Sequence, residues 1–228
     1  LGFGYERLRE INQKVIYCAI SGYGHTGPRR THPAYDLIVQ AESGMMDVTG
    51  AADGPPIRAG ISMADVTAGQ AGVEGILLAL IDRAKTGKGQ MVDISMLDSL
   101  MALFTYQTQG YLATGQSPRR RGNMHASITP YEAYATKDGH FVLAAANDAH
   151  YRSLCQMVRA MSLDGESGIA DQMEVEIFTT NTSRVKHREE LRAILEGLFL
   201  LRTTNEWLEV LTKAGVACGS INRISDIL

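Results

Sequence analysis

A single acidic residue stands in the small and apolar segment 61–69, whose sequence is ISMADVTAG. This residue, Asp65, comes at the start of an Ala-, Gly- and Leu-rich stretch that predicts a buried helix over residues 66–83, ended by Gly87. A carboxylate at such a place has two uses. It can cap the helix by accepting hydrogen bonds from the first backbone N–H groups. It can also attack a bound acyl compound as a nucleophile, favoured by the positive end of the helix dipole.

The other reactive side chains are dispersed along the chain. The six histidines and the three cysteines, Cys18, Cys155 and Cys218, show no spacing typical of a metal site, so we expect no bound metal. Scattered cysteines in odd number indicate free thiols, a reducing compartment and hence a cytoplasmic protein. Short arginine runs at residues 29–30 and 119–121 belong to solvated loops or contact phosphates.

Composition excludes several classes of protein. The chain has 228 residues, 45% of them hydrophobic, and a formal net charge of −3. The slight acidity argues against a nucleic-acid partner. The longest apolar run, residues 75–81, is too short to span a bilayer, so we expect no membrane partner.

Strand and helix patterns alternate along the chain. Residues 15–21 and 90–95 predict buried strands, and a hairpin turn at Lys137-Asp138-Gly139 joins predicted strands over residues 131–135 and 140–145. A last strand is expected at residues 216–221. Helices are predicted over residues 5–11, 34–43, 96–112, 149–158 and 184–199, with Asn181 capping the last, and a further helix capped by Thr203 or Thr204 includes 207–211.

This alternation predicts the α/β class. The polar, arginine-rich stretch at residues 119–127 reads as a linker between two lobes. We therefore expect a large domain over residues 1–118 and a small α/β domain over residues 128–228.

Several motifs occur in an order typical of one family. They are SGYGHTGP (21–28), PAYDLIVQAESG (33–44), TGAADGPPIRAG (49–60), ISMADVTAG, KTGKGQMVDISMLDS (85–99), RGNMHASITPYEAYATKDGHFVLAAANDAHY (121–151) and AGVACGSIN (214–222). The chain resembles the class III CoA-transferases, the CaiB/BaiF family, along its whole length. The resemblance implies that residues 1–118 are part of a Rossmann-like, CoA-binding large domain.

The resemblance also implies that Asp65 is the catalytic aspartate. Its carboxylate attacks an acyl-CoA thioester to give a mixed anhydride, and the released CoA thiolate then forms an aspartyl-CoA thioester. Coenzyme A is a substrate here, exchanged between an acyl-CoA and a small carboxylic acid, and no permanently bound cofactor is expected.

The α-methylacyl-CoA racemases of the same family are the alternative. They use a histidine–aspartate pair with a supporting glutamate, where this chain has Tyr35 and Asn147 in place of the histidine and the glutamate. Neither residue is a general base near neutral pH, because a tyrosine titrates near pH 10 and an asparagine does not titrate. The resemblance places Tyr35 in an acyl pocket, whereas the pattern alone also allows a core tyrosine.

Further site residues follow from the resemblance. The loop GNMHASITP replaces the glycine-rich loop of formyl-CoA transferases and is closer to enzymes that handle dicarboxylic acids such as glutarate or succinate. His125, Ser127 and the arginine cluster would then receive the distal carboxylate. Gly122 and Asn123 are candidates for contact with the substrate or CoA. Arg30, His32 and Met96 are candidates for contact with CoA.

The family's subunits interlock as a homodimer, and its members begin with a nucleotide-fold segment. Because this chain starts with Leu1 and lacks that segment, we expect a fragment of a longer protein, inactive by itself. A second alternative is a non-catalytic binding or assembly module in which Asp65 only caps its helix.

The choice between transfer and racemisation gives a first prediction. We expect no exchange of the α-proton of a branched acyl-CoA in heavy water, because Tyr35 and Asn147 cannot move that proton. The measurement is deuterium incorporation into the recovered thioester. Enzyme-dependent exchange at a rate comparable to turnover would establish the racemase chemistry instead.

Overall fold

The structure, a computed structural model, describes residues 2–161 and 167–228. The chain divides into two compact units, Leu1–Gly122 and Asn123–Leu228. The boundary falls inside the expected linker at residues 119–127. Part of that segment is integrated into the first unit: Arg120 donates to the backbone oxygens of Gly54 and Asp47.

The first unit contains a two-stranded parallel sheet with helices. Strands β1 and β2 pair in register from Tyr17↔Met91 to Ser21↔Ser95. This mixed order of helices and strands confirms the α/β class. The elements are α1 (Tyr5–Ile11), β1 (Tyr17–Ser21), α2 (Asp36–Glu42), α3 (Met45–Val48), α4 (Met63–Thr86), β2 (Met91–Ser95), α5 (Met96–Met101) and α6 (Thr105–Thr114).

One local prediction in this unit is wrong, and one short helix is not predicted. The helix expected over residues 96–112 is two helices, α5 and α6, separated by a turn in which the Leu103 N–H donates to the Leu100 carbonyl at 3.1 Å. The residues of this turn, Ala102, Leu103 and Phe104, include no glycine or proline, so the apolar pattern continues through the break. The short helix α3 was not expected.

Helix α4 packs against β1 and β2 through a face of small residues. A Cβ atom at Gly75 would overlap the side chain of Val92, and one at Gly72 would lie 3.4 Å from the sulfur of Cys18. Only a glycine allows the helix to approach β2 this closely. The helix ends as predicted at Gly87, which has φ +72°, in the left-handed region.

Among the described residues, α4 is also the one helix long and apolar enough to cross a membrane by length and composition. The expectation that no stretch is long enough is therefore wrong by this criterion. The expectation rests on the unbroken apolar run 75–81 alone. The mean hydropathy of a longer segment stays high even when a few polar residues are scattered within it. Core helices pass the same test, and α4 packs on β1, β2, α2 and α5. Its length carries no argument for a membrane.

The N-terminus of α4 is held by two buried polar residues of α2. Asp36 accepts the Ala64 backbone N–H on one carboxylate oxygen at 2.9 Å and the Gln40 side-chain amide on the other at 2.8 Å. The same amide nitrogen donates to the Ile61 carbonyl, and the Gln40 side-chain oxygen accepts the Ala59 N–H. A neighbouring helix thus supplies the capping group that α4 does not supply itself.

The second unit packs helices on one face of an antiparallel sheet of order β3-β4-β5. The β3–β4 hairpin confirms the predicted turn, and Trp207, Phe199, Phe141 and Tyr134 lie in the core of this unit. The elements are β3 (Tyr131–Ala135), β4 (His140–Ala144), α7 (Asp148–Ala160), α8 (Ser167–Met173), α9 (Asn181–Lys186), α10 (Arg188–Phe199), α11 (Thr204–Lys213) and β5 (Ala217–Ser220).

The helix expected over residues 184–199 is also two helices, α9 and α10, which meet at His187. The prediction that Asn181 caps this helix is wrong, because Thr180 accepts the Ser183 N–H in that role. The predicted cap of α11 is confirmed: Thr203 and Glu206 form a capping box.

The contact between Asp36 and α4 gives a second prediction. Asp36→Ala leaves the buried N–H of Ala64 without a partner, at a cost of about 1–3 kcal/mol. We expect the amides of the first turn of α4 to exchange with deuterium about 5- to 150-fold faster, measured by hydrogen exchange. The control is Asp82→Ala, at an exposed position near the other end of α4. Equal exchange rates in the Asp36 variant and the wild type would contradict this account.

Candidate active site

Asp65 is the third residue of α4, and it is exposed. The N-cap position is Ser62, whose side chain makes no capping hydrogen bond, so the interpretation of Asp65 as the helix cap is wrong. Within the described part of the chain the Asp65 carboxylate accepts no hydrogen bond. A carboxylate in the first turn interacts favourably with the helix dipole. The chain therefore presents this group, oriented by a long helix, to whatever binds there.

Tyr35 precedes Asp36 in the chain, just as Ala64 precedes Asp65. The hydrogen bond between Asp36 and Ala64 therefore links the two backbone segments that carry Tyr35 and Asp65. Tyr35 is 78% exposed, so the alternative of a core tyrosine is wrong. Its exposed ring is free to contact a ligand, and its place in an acyl pocket stays a prediction.

The candidates for CoA contact differ in their surroundings. Met96 is buried and packs with Val39, Ala68 and Leu100, so its side chain belongs to the core of the first unit. The Arg30 guanidinium donates to the Gly27 carbonyl at 3.3 Å. The His32 ring makes an edge contact with Tyr23. For all three, contact with CoA stays a prediction.

Two of the candidate arginines form ion pairs, and two others are exposed. Arg29 binds Glu42 at 2.6 Å and lies over the ring of Tyr23, while Arg120 binds the Asp47 carboxylate at 3.0 Å in addition to its backbone contacts. These two guanidinium groups stabilise the first unit. Arg119 and Arg121 are exposed.

The loop over residues 122–130 carries the remaining candidates. Gly122 belongs to the first unit, where its N–H donates to the Gly50 carbonyl. Asn123 lines a cavity of about 490 Å³ on the second unit, together with Tyr131 and Val142. Ser127 is exposed, and its backbone carbonyl accepts a hydrogen bond from Asn181.

His125 has a defined ring orientation. Its Nδ1 atom accepts the Ser127 N–H at 3.2 Å, and its ring lies 5.0 Å from that of Tyr131. A ring nitrogen that accepts is unprotonated, so the neutral imidazole carries its proton on Nε2. The His125 ring therefore presents its Nε2–H as a hydrogen-bond donor. A carboxylate or carbonyl oxygen can accept this hydrogen bond.

The structure thus groups the sequence candidates within each unit. Tyr35 and Asp65 lie on segments joined by Asp36 in the first unit, and His125 and Ser127 contact each other in the second. Sequence analysis missed Asp36 and Gln40. Their spacing of four residues within the apolar run DLIVQA of α2 was the available signal, because such residues lie on one face of a helix.

Two further observations bear on the chemistry. Asn147 caps α7, where its side-chain oxygen accepts the His150 N–H at 2.9 Å. This is a structural role at a position where the racemases have a catalytic glutamate. Within residues 2–161 and 167–228, no three His, Cys, Asp or Glu side chains are grouped so as to hold a metal ion.

Curated proteins similar to this chain are acyl-CoA and CoA transferases. An "Acyl-CoA transferase" from Fusarium pseudograminearum is 41% identical over 224 residues, covering 98% of this chain and 47% of that protein. A "Succinate–glutarate CoA-transferase" from Agrobacterium fabrum is 39% identical over 226 residues, covering 99% and 54%. The chain spans about half the length of these relatives.

A solved structure and a family model agree with these relatives. The crystal structure of a CaiB/BaiF family protein from Brucella suis superposes with a TM-score of 0.86 at 38% identity, covering 99% of this chain and 57% of that one. The family model described as CoA-transferase family III matches residues 1–228. The chain belongs to CoA-transferase family III.

Proposed function

We propose that the protein moves CoA from an acyl-CoA donor to a carboxylic acid, with Asp65 as the nucleophile. One observation carries the proposal. The Asp65 carboxylate is exposed in the first turn of α4 and has no partner within the described chain, while Asp36 satisfies the neighbouring backbone N–H. The capping role is therefore filled by another residue, and Asp65 is left for a ligand. The names of the relatives support transfer of CoA.

The steps need only a carboxylate and a thioester. A carboxylate oxygen of Asp65 attacks the thioester carbonyl, and the carbon–sulfur bond breaks to give a mixed anhydride and the CoA thiolate. The thiolate attacks the aspartyl carbonyl, which forms the aspartyl-CoA thioester and releases the donor acid as a carboxylate. The acceptor carboxylate then attacks this thioester, and the released thiolate attacks the acceptor's acyl carbon. The new acyl-CoA leaves, and Asp65 is regenerated.

No proton is transferred in this sequence, which fits the residues present. Tyr35 and Asn147 stand where the racemases have titrating groups, and Asn147 is occupied as a helix cap. The chain thus offers no base at these positions for α-proton transfer. The α4 N-terminus supplies a favourable field for the anionic nucleophile.

We further propose that the donor or acceptor is a short dicarboxylic acid. The loop over residues 122–130 offers the His125 Nε2–H and the exposed Ser127 hydroxyl as donors for a distal carboxylate. An apolar acyl chain in place of the distal carboxylate would leave the exposed Ser127 hydroxyl unpaired, at about 1–3 kcal/mol if the substrate buries it. The relative from Agrobacterium fabrum, named for succinate and glutarate, supports this class. Arg120 is not part of the proposal, since it binds Asp47.

The covalent intermediate gives a third prediction. After incubation of the full-length protein with a panel of acyl-CoAs, intact-protein mass spectrometry should show an adduct that hydroxylamine removes. Asp65→Asn should abolish the adduct, because an amide does not attack a thioester. The matched control, Asp82→Asn at an exposed site of the same helix, should keep it. An adduct of equal yield in Asp65→Asn would refute the assignment of Asp65 as the nucleophile.

The substrate class gives a fourth prediction. We expect the full-length protein to use succinate or glutarate with a higher kcat/KM than butyrate or hexanoate. His125→Ala and Ser127→Ala should each lower the value for the dicarboxylates about 5- to 100-fold through the loss of a hydrogen bond to a charged group. The monocarboxylates, which lack the distal group, serve as the internal control. A preference for monocarboxylates would refute the class, and an unchanged preference in both variants would refute the residues.

A further inference from the structure

The backbone of residues 127–129 is held by the side chain of one residue of α9. The Asn181 amide nitrogen donates to the Ser127 carbonyl at 2.8 Å, and the Asn181 side-chain oxygen accepts the Thr129 N–H at 3.1 Å. One planar amide thus satisfies a backbone acceptor and a backbone donor two residues apart. Such a pair fixes the orientation of the loop more strictly than a single hydrogen bond would.

A buried cation holds the next backbone group of the loop. Arg184 is fully buried, and its Nε atom donates to the Thr129 carbonyl at 2.8 Å. Its other nitrogens donate to the Phe178 carbonyl at 2.9 Å and to the Asp148 carboxylate at 2.8 Å, and the guanidinium lies over the ring of Tyr151. Because a guanidinium is rigid and stays charged, these partners leave it one orientation.

Asp148 connects the two holding residues. The carboxylate oxygen that accepts from Arg184 also accepts the Asn181 backbone N–H at 2.8 Å. Hydrogen bonding to the Arg184 guanidinium is the main factor that lowers the pKa of Asp148 below its usual range, so this carboxylate is charged near neutral pH. The first turn of α9 is therefore seated against the start of α7, and Asn181 has a fixed position from which to reach the loop.

The held segment in turn orients His125. The Ser127 N–H that donates to the His125 Nδ1 atom belongs to the residue whose carbonyl Asn181 binds. A movement of Ser127 would break this contact and release the ring from the tautomer that presents Nε2–H. The path from Arg184 and Asn181 through the Ser127 backbone to the His125 ring is continuous and made of hydrogen bonds.

We infer that Asn181, seated by Arg184 and Asp148, is a positioning residue that sets the conformation of loop 125–129 and thereby the selectivity for a distal carboxylate. The selectivity part rests on the proposed function, whereas the positioning part does not. Asn181 itself touches no substrate in this account. It acts by fixing where the His125 Nε2–H and the Ser127 hydroxyl point.

The experiment compares Asn181→Ala with Thr180→Ala. The alanine at 181 removes both hydrogen bonds to the loop. The alanine at 180 removes the cap of the same helix and leaves the loop contacts in place. We expect amide exchange at Thr129 to accelerate about 10-fold or more in Asn181→Ala and to remain near the wild-type rate in Thr180→Ala.

The kinetics of the full-length protein provide the second readout. In Asn181→Ala the kcat/KM for glutarate should fall about 10-fold, mainly through KM, while that for butyrate changes much less. If Asn181 had a purely structural role, its replacement would lower kcat/KM for both substrates alike, because less of the protein would be folded. Asn181→Asp is the conservative variant: it keeps an acceptor for the Thr129 N–H but no donor for Ser127. It should restore slow exchange at Thr129 without restoring the preference for glutarate.

The outcomes separate this inference from the proposed function. Unchanged exchange at Thr129 in Asn181→Ala overturns the positioning role, whatever the kinetics show. Faster exchange with an unchanged ratio of glutarate to butyrate overturns the role in selectivity. In both cases a covalent adduct at Asp65 leaves the proposed function standing. If no adduct forms in the wild type, the proposed function fails, and the exchange measurement still decides whether Asn181 holds the loop.

Discussion

The carboxylate of Asp36 is the contact on which the candidate site in the first unit depends. The first backbone N–H groups of a helix need partners, and the second residue of α4, Ala64, is buried in a first turn that has no capping side chain of its own. Asp36 provides the partner from α2 and also accepts the Gln40 side-chain amide, so each of its buried carboxylate oxygens has a hydrogen-bond partner. Because this requirement is met from outside the helix, the next residue, Asp65, is not needed for the fold.

The close packing of α4 gives the same residue a fixed platform. Gly75 allows the helix to lie against Val92 of β2, and Gly72 allows contact with Cys18 of β1. Rigid elements position reacting groups better than loops do, because their backbone cannot relax around a substrate. A nucleophile needs such placement more than it needs partners, since orientation accounts for much of the acceleration when two reactants are held together. Glycines far along α4 from Asp65 therefore contribute to its placement.

The sequence predicted local features well and non-local ones poorly. The hairpin at Asp138-Gly139, the end of α4 at Gly87 and the cap at Thr203 depend on residues close in the chain, and the structure confirms them. The breaks between α5 and α6 and at His187 have no glycine or proline to mark them. The residue type of Asn181 predicts a helix cap. Its amide instead binds a segment more than 50 residues away, which the residues around it do not indicate.

Asp36 in the first unit and Asn181 in the second have the same structural role. Each is a polar side chain that serves the backbone of a distant segment, and in each case a neighbouring side chain on that segment stays available for chemistry. The side chains of Asp65 and Ser127 are then available for reaction or recognition, because the free energy of folding does not depend on them. The proposed transfer of CoA suits this division, because its proposed steps use one carboxylate repeatedly and require no side chain to titrate. The constraint falls on geometry, and the hydrogen bonds of Asp36 and Asn181 to the backbone supply that geometry.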